Sequence, residues 1–195
     1  METFKARPYH QIEFITTMYF LRKHLPESGL VFDAEGVLLR CTIELASMEY
    51  EVVLLDITPK LLKIARRQIK RAGVQDRLKQ IIEGSITDLT AFADEKFDAV
   101  LCLEGPLTHL LDAKQREGAA GELVRVAKRG SPLFIPVIGR LGLLRTIPLE
   151  FPDKIQDCRH HWEKGRLHSR CASPRPGGWL HRRPVVPNRG APRAF

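Results

Sequence analysis

The sequence has few cysteines, no zinc-finger spacing and no long hydrophobic run. It contains four cysteines in 195 residues, and none forms a C-x-x-C pair with another. This excludes a disulfide-rich secreted scaffold, so we predict free thiols and no metal site. No stretch approaches the roughly 18 consecutive apolar residues of a membrane-spanning helix, and the N-terminus lacks the pattern of a signal peptide. We therefore expect a cytoplasmic protein without a membrane partner.

Acidic residues are absent from the last part of the chain. Residues 166–195 contain seven arginines, five prolines and three glycines, with no aspartate, no glutamate and no helix or strand periodicity. Such a composition favours disorder. The other residues carry 24 basic and 23 acidic side chains, so the formal charge of +8 comes almost entirely from this tail. We predict a folded domain over 1–165 and a tail over 166–195, for which nucleic acid is a candidate partner.

The most informative pattern is a strand-helix-strand unit near the N-terminus. An apolar run at 30–32 leads into Asp33, helical periodicity covers about 39–48, and a second apolar run ends at Asp56. A unit this short predicts neighbouring parallel strands joined by a right-handed crossover. Because parallel strands end at the same edge of a sheet, we expect both aspartates to lie in a crevice at that edge.

Helical and strand periodicities alternate through the rest of the folded domain. Further strands are predicted at 78–82, 99–103 and 133–138, and helices at 8–25, 59–72 and 113–128. This alternation predicts an α/β fold with three layers around a mostly parallel sheet. In the first helix we expect Ile12, Ile15 and Tyr19 to form the buried stripe, with Leu21 beside them.

The strand-helix-strand unit resembles the class I S-adenosylmethionine-dependent methyltransferases. Their first strand leads into the pattern V-L-D-A-G-x-G-x-G-R-x-T-x-x-L-A, and this chain keeps in register Val31, Phe32, Asp33, Ala34, Arg40, Thr42, Leu45 and Ala46. Where the pattern has glycines, this chain has Glu35, Val37 and Leu39. The resemblance covers about 8–165 and implies a Rossmann-like fold of that family, although no C-terminal strand hairpin is recognisable.

The resemblance implies S-adenosylmethionine as cofactor and a set of residues that would hold it. Asp56 would bind the ribose hydroxyls, Asp33 would help to orient the amino group, and Gly36 would give access to the backbone. The loop after the third strand would frame the adenine, and residues after the other strands complete the site. The implied cofactor-binding residues are Asp33, Ala34, Glu35, Gly36, Asp56, Ile57, Ser85, Ile86, Asp88 and Leu103.

The resemblance also suggests residues for the acceptor. Residues 139–165 are similar to a lid-like insertion, in which His160, His161 and Trp162 are candidate acceptor contacts; alternatively they are surface histidines and a packing tryptophan. His109 is a candidate general base, or else a surface residue at a helix start. The N-terminal helix within residues 1–29 would cover the cofactor or pack against the edge of the sheet.

Three functions stay open after this reasoning. The first is methyl transfer to a small-molecule acceptor, which the nearly neutral domain favours. The second is a truncated or inactive remnant of the family, which the replaced glycines favour. The third is RNA binding or RNA modification through the basic tail. A nicotinamide-dependent dehydrogenase is disfavoured because the G-x-G-x-x-G spacing is absent. No pattern indicates an oligomeric state.

Overall fold

The computed structural model describes residues 8–36 and 39–137, together with single positions between 141 and 163. The chain divides into two compact units, Met1–Val137 and Ile138–Phe195. In the second unit the described positions 141–142, 144, 147–148, 159 and 162–163 are helical. The predicted tail over 166–195, and any C-terminal hairpin, lie outside the described residues. No described helix is long and apolar enough to cross a membrane.

The first unit alternates helices and strands around one sheet. Its elements are α1 (Pro8–His24), β1 (Leu30–Ala34), α2 (Arg40–Ser47), β2 (Glu51–Asp56), α3 (Pro59–Ala72), a 3₁₀ turn (Gln75–Arg77), β3 (Leu78–Glu83), β4 (Ala99–Leu101), α4 (Pro106–His109), α5 (Ala113–Val126) and β5 (Leu133–Phe134). The strands are parallel and lie in the order β3-β2-β1-β4-β5. This confirms the predicted Rossmann-like sheet. The strand order reverses next to β1, which is where such sheets bind ligands.

The inner strands β1, β2 and β4 are buried on both faces of the sheet, since their consecutive residues point to opposite sides and nearly all of them are buried. Val31 packs with residues of α1 and α2 on one face. Phe32 packs on the other face with residues of α5, and its ring stacks on Phe97 with 4.7 Å between the centroids. The three layers therefore follow from the inner strands β1, β2 and β4, which are apolar at most positions.

Helix α3 shows how the local sequence sets the ends of an element. Thr58 is extended at the N-cap, Pro59 occupies the first turn, and Gly73 ends the helix with a left-handed φ of 73°. No atom lies within 4 Å of the place where a Cβ on Gly73 would be, so glycine is favoured there by the backbone conformation alone. These ends agree with the predicted helix.

The prediction for the buried face of α1 was wrong. Ile12, Ile15 and Tyr19 are 64%, 65% and 60% exposed, whereas Met18 and Leu21 are buried. The helix carries apolar residues on two stripes, so its periodicity does not distinguish which stripe packs on the sheet. Contact with the core through Met18 and Leu21 determines the orientation.

Two strands are shorter than the sequence predicts. Strand β5 has only the residues Leu133–Phe134 instead of 133–138, and Pro136, two residues after Phe134, has no backbone N–H for a ladder. Strand β4 ends at Leu101 because the chain soon turns at Glu104, whose φ is 67°. Strands β4 and β5 are thus shorter than the apolar runs in the sequence suggest.

Candidate functional site

Two buried aspartates lie at the carboxyl edge of the sheet. Asp33 is the penultimate residue of β1 and Asp56 is the last residue of β2. The two are 1% and 3% exposed. In the register of the parallel strands β1 and β2, Asp33 lies opposite Leu54, two residues before Asp56. Burial raises the pKa of Asp33, and the charge of Asp56 adds to this rise. The structure therefore brings together the two acids that the sequence pattern singles out.

Asp33 has one carboxylate oxygen that is satisfied and one that is not. The hydroxyl of Thr42, on α2, donates a hydrogen bond to Oδ2. The other oxygen, Oδ1, is buried and has no hydrogen-bond partner among the described residues. Burial raises the pKa of Asp33 to about 6, the bond from Thr42 opposes this rise, and the charge of Asp56 adds to it. A buried acceptor of this kind is suited to a cationic donor from a ligand.

The turn after β1 approaches Asp33 so closely that only glycine fits at its centre. A Cβ on Gly36 would lie 2.6 Å from Oδ2 of Asp33 and 2.7 Å from Cδ1 of Leu54. On one side of Gly36, Glu35 has a left-handed φ of 64°, and on the other Leu39 has one of 53°. These are conformations that glycine adopts without penalty. Val37 lies outside the described residues.

The side chains of Glu35 and Leu39 have different surroundings. Leu39 is buried and packs with Leu54, Ala65 and Ile69, in the contact between the turn and α3. The cleft at that contact is too narrow for a water molecule. Glu35 is only partly buried; burial first, and then the charge of Asp56, raise the pKa of its carboxyl group. Of the two described residues that replace glycines of the family pattern, Glu35 is therefore the one with a charged and partly accessible side chain.

Asp56 is held by the start of the following helix. Its Oδ1 accepts a hydrogen bond of 2.7 Å from the backbone N–H of Thr58, and no described residue bonds to its Oδ2. The next residue, Ile57, is 59% exposed. This leaves one carboxylate oxygen and an adjacent apolar surface at the end of β2. Ala34, in contrast, is fully buried in the core.

The loop after β3 carries three of the predicted cofactor-binding residues. Ser85 Oγ lies 2.9 Å from the hydroxyl of Thr87. Asp88 Oδ1 accepts hydrogen bonds from the hydroxyl and the backbone N–H of Thr90, and these bonds lower the pKa of Asp88. The side chain of Ile86 is buried in the core. Only the backbone of Ile86 is therefore left for a ligand, while Ser85 is partly accessible.

The end of β4 adds a further carboxylate to the same edge. Leu103 is partly buried and packs against the cluster beneath α1 and α2. Burial raises the pKa of the neighbouring Glu104 to about 7, and the charges of Glu13 and Asp33 contribute.

The candidate base His109 is exposed at the end of α4. In the second unit Trp162 is 52% exposed. His160 and His161 lie outside the described residues.

Two contacts of this edge were not assigned from the sequence. Thr42 belongs to the family pattern, but the pattern alone gives it no role. Its place in the first turn of α2 allows its hydroxyl to donate a hydrogen bond to Asp33. The charge of Glu13, on α1, helps to raise the pKa of Glu104, about ninety residues away in the chain. No local pattern predicts that second pair, because the contact depends on how α1 packs.

Comparison with known proteins agrees with this geometry. The family model described as a methyltransferase domain matches residues 38–135, which is half of the chain. This chain belongs to the class I S-adenosylmethionine-dependent methyltransferases. The matched residues include α2 with Thr42, β2 with Asp56 and the loops after β3 and β4, and they begin after β1 and Glu35.

Individual relatives extend the same similarity. A ubiquinone biosynthesis O-methyltransferase of Xanthomonas axonopodis pv. citri (strain 306) is 31% identical over 137 residues, covering 69% of this chain and 53% of that protein. The chain thus corresponds to about half the length of this curated relative.

Two solved structures share the fold of this methyltransferase. The S-adenosylmethionine-dependent methyltransferase of Methanosarcina mazei has a TM-score of 0.57 at 22% identity, covering 72% of this chain and 66% of that chain. A protein of Pyrococcus horikoshii OT3 has a TM-score of 0.62 at 21% identity, covering 73% and 64%. At these identities the likeness shows the fold alone.

Proposed function

We propose that this chain transfers the methyl group of S-adenosylmethionine to a hydroxyl group of a small molecule. The observation that carries the proposal is the buried Oδ1 of Asp33, which has no partner in the described residues and lies at the same edge as Asp56. An amino group and a ribose diol would supply hydrogen-bond donors to these two acids. The name of the Xanthomonas relative supports a small-molecule hydroxyl as acceptor.

The residues of the crevice fit the cofactor as a set of positioning groups. Asp33 would accept a hydrogen bond from the ammonium group, and the second oxygen of Asp56 would accept one from the ribose. Ile57 would offer an exposed apolar surface to the adenine, with Ser85 and Asp88 nearby in the loop after β3. When bound, the cofactor supplies a methyl group on a positively charged sulfur. The protein then contributes mainly by holding donor and acceptor in line.

The remaining site residues are part of the same proposal. His109 would remove a proton from the acceptor hydroxyl, and its exposed place after β4 leaves its ring accessible for this. His160, His161 and Trp162 would contact the acceptor. Ala34, Glu35, Ile86 and Leu103 would border the cofactor through backbone or side-chain atoms.

A second candidate function is favoured by the turn after β1. Glu35 and Leu39 hold left-handed conformations that suit glycine, and each costs the fold about 1 kcal/mol. A family member that has accumulated such replacements and binds its cofactor weakly would be an inactive remnant. The RNA-binding alternative depends on 166–195, which lie outside the described residues, and no described contact favours it over the others.

Calorimetric titration of S-adenosylmethionine tests the cofactor site. We expect the parent to bind and Asp56→Asn to weaken binding about tenfold, since Asn keeps an acceptor for the Thr58 N–H but removes the charge. Asp98→Asn is the matched control, because Asp98 also bonds to a backbone N–H but at the opposite edge. It should bind like the parent. Absence of binding by the parent would favour the remnant instead.

Transfer of labelled methyl groups to a panel of phenols and catechols tests the reaction. We expect label in at least one hydroxyl acceptor, and a loss of about a hundredfold in rate for His109→Ala with unchanged cofactor affinity. His24→Ala, which changes an exposed histidine on α1, serves as the control. Cofactor binding without transfer to any member of the panel would contradict the small-molecule hydroxyl as acceptor.

A further inference from the structure

The crevice at the carboxyl edge contains several acidic side chains. The carboxylates whose charge or burial shapes this crevice belong to Glu13, Asp33, Glu35, Asp56 and Glu104. The cation that acts on the same surroundings is Arg40, whose guanidinium group lies 3.9 Å from the centre of the Phe14 ring. A ligand that enters this crevice therefore meets mostly negative charge.

Glu35 has the most central position among these acids. Burial and then the charge of Glu35 raise the pKa of Cys102, which lies just after β4. Burial and then the charge of Asp56, at the end of β2, raise the pKa of Glu35. Strand β1, which carries Asp33, lies between β2 and β4. Glu35 follows β1 directly, and its backbone N–H donates a hydrogen bond of 2.7 Å to the carbonyl oxygen of Leu55 on β2. It therefore lies at the carboxyl end of the central strand, next to the turn that contains Gly36.

We propose that Glu35 makes this site selective for the sulfonium cation of S-adenosylmethionine over the neutral thioether of S-adenosylhomocysteine. The inference rests on the proposed function, because it assumes that the crevice holds this cofactor. The family pattern has glycine at position 35, which has no charge to contribute. The discrimination would therefore be a property of this chain and not of the family as a whole.

The selectivity follows from the one difference in charge between the two ligands. A carboxylate in a partly desolvated site increases the affinity for a nearby cation by roughly one to two orders of magnitude. That attraction disappears when the sulfur loses its methyl group and its charge. The product is then held only by the contacts that both ligands share, and it should dissociate more readily than the cofactor.

The same attraction has a kinetic consequence. The positive charge is concentrated on sulfur in the bound cofactor and more dispersed in the transition state. An acid near sulfur stabilises the ground state more, so it raises affinity but slows the chemical step. Removing the charge of Glu35 should therefore increase both KM for the cofactor and kcat. A residue that only supported the fold would not move the two in this way.

The test compares the affinities of both ligands in three proteins at about pH 8. Calorimetry is performed on the parent, on Glu35→Gln and on Glu95→Gln. Glu95 is a matched control because it also has a left-handed φ, 51°, but pairs with Arg129 at the other edge of the sheet. We expect the parent and Glu95→Gln to favour S-adenosylmethionine about tenfold or more, and Glu35→Gln to favour it less than about threefold.

A second variant separates charge from folding. Glu35→Gly removes the charge and also restores the residue that suits the local φ, so it should fold at least as well as the parent and show the same low ratio as Glu35→Gln. Equal affinities for both ligands in the parent, or an unchanged ratio in the two Glu35 variants, would overturn the inference alone. Failure of both ligands to bind any protein would overturn the proposed function with it.

Discussion

The two edges of the sheet use their charged residues in different ways. At the amino edge, Asp98 accepts hydrogen bonds from the N–H of Leu30 at 2.9 Å and from Lys128 Nζ at 2.6 Å. Burial acts to raise the pKa of Asp98, but these two partners together lower it. At the carboxyl edge the pKa values of Asp33 and Glu104 are raised to about 6 and about 7.

Arg125 extends the pattern of the amino edge. It donates hydrogen bonds to the carboxylates of Glu122 and Asp94 and to the carbonyl oxygens of Leu89 and Phe92. This one side chain thereby fixes the loop before β4 to α5. Acids at the amino edge are thus paired with basic side chains, whereas the described residues place no basic side chain in an ion pair with Asp33 or Glu104 at the carboxyl edge.

The largest expected effect is the contribution of Asp33 to the pH dependence of stability, which has the opposite sign to that of a paired carboxylate. Asp33 has a folded pKa of about 6 against an ordinary value of 3.8, so the folded state binds the proton more tightly than the unfolded state. The contribution of Asp33 to stability is therefore fully present below pH 3.8 and is lost as pH rises through 6. The total loss from Asp33 is about 3 kcal/mol, of which about 2 kcal/mol falls between about pH 4.5 and 8.

Urea unfolding of the parent and of Asp33→Asn at several pH values measures this effect. Glu104, with its raised pKa, should add to the fall in the parent. The variant should lose the part of the slope that belongs to Asp33, whatever its absolute stability. The lowered pKa of Asp98 acts in the opposite direction, but only at lower pH. A slope that is equal in parent and variant would remove the contrast between the edges.

A smaller loss is expected when the amino edge is broken. Asp98→Ala removes the acceptor of the Leu30 N–H and the partner of Lys128, and we expect it to lower the free energy of unfolding by about 1.5 kcal/mol. Asp98→Asn keeps one acceptor and should lose about half as much. Unfolding in urea at neutral pH measures both. If Asp98→Ala were as stable as the parent, the paired charges of this edge would not stabilise the fold.

The smallest effect separates backbone strain from charge. Glu49 lies after α2 with a φ of 71°, and its exposed side chain contacts Arg77 at 3.3 Å. Since exposed ion pairs contribute little, Glu49→Gly should stabilise the fold by up to about 1 kcal/mol. Gly73→Ala makes the reverse change at a φ of 73° with no nearby atom, and should cost a similar amount. A loss of stability in both variants would contradict the strain argument.

The sequence predicts the fold well where short apolar runs alternate with helical periodicity. The unit from β1 to β2 could be recognised because its two apolar runs are short and flank a stretch of helical periodicity, and each aspartate lies at the end of a run. The face of α1 could not be recognised, since Ile12 and Met18 belong to equally apolar stripes. Only contact with the sheet decides between those stripes.

The candidate site is less predictable than the fold around it. The side chain of Leu39 is buried by packing between the turn and α3, whereas that of Glu35 is only partly buried, although the family pattern treats the two positions alike. The bond from Thr42 to Asp33 is local and could have been expected from the helix that follows β1. The effect of Glu13 on Glu104 arises from tertiary contact, which sequence spacing does not contain.

The left-handed glutamates have a genetic consequence. Glutamate and glycine codons differ by a single base at the second position, GAA or GAG against GGA or GGG. Glu35, Glu49, Glu95 and Glu104 all have positive φ values. Each is therefore one nucleotide change from the residue that its backbone favours. A population of this gene under selection for thermal tolerance could repair these positions one at a time, and the order in which they change would rank the strain that each imposes.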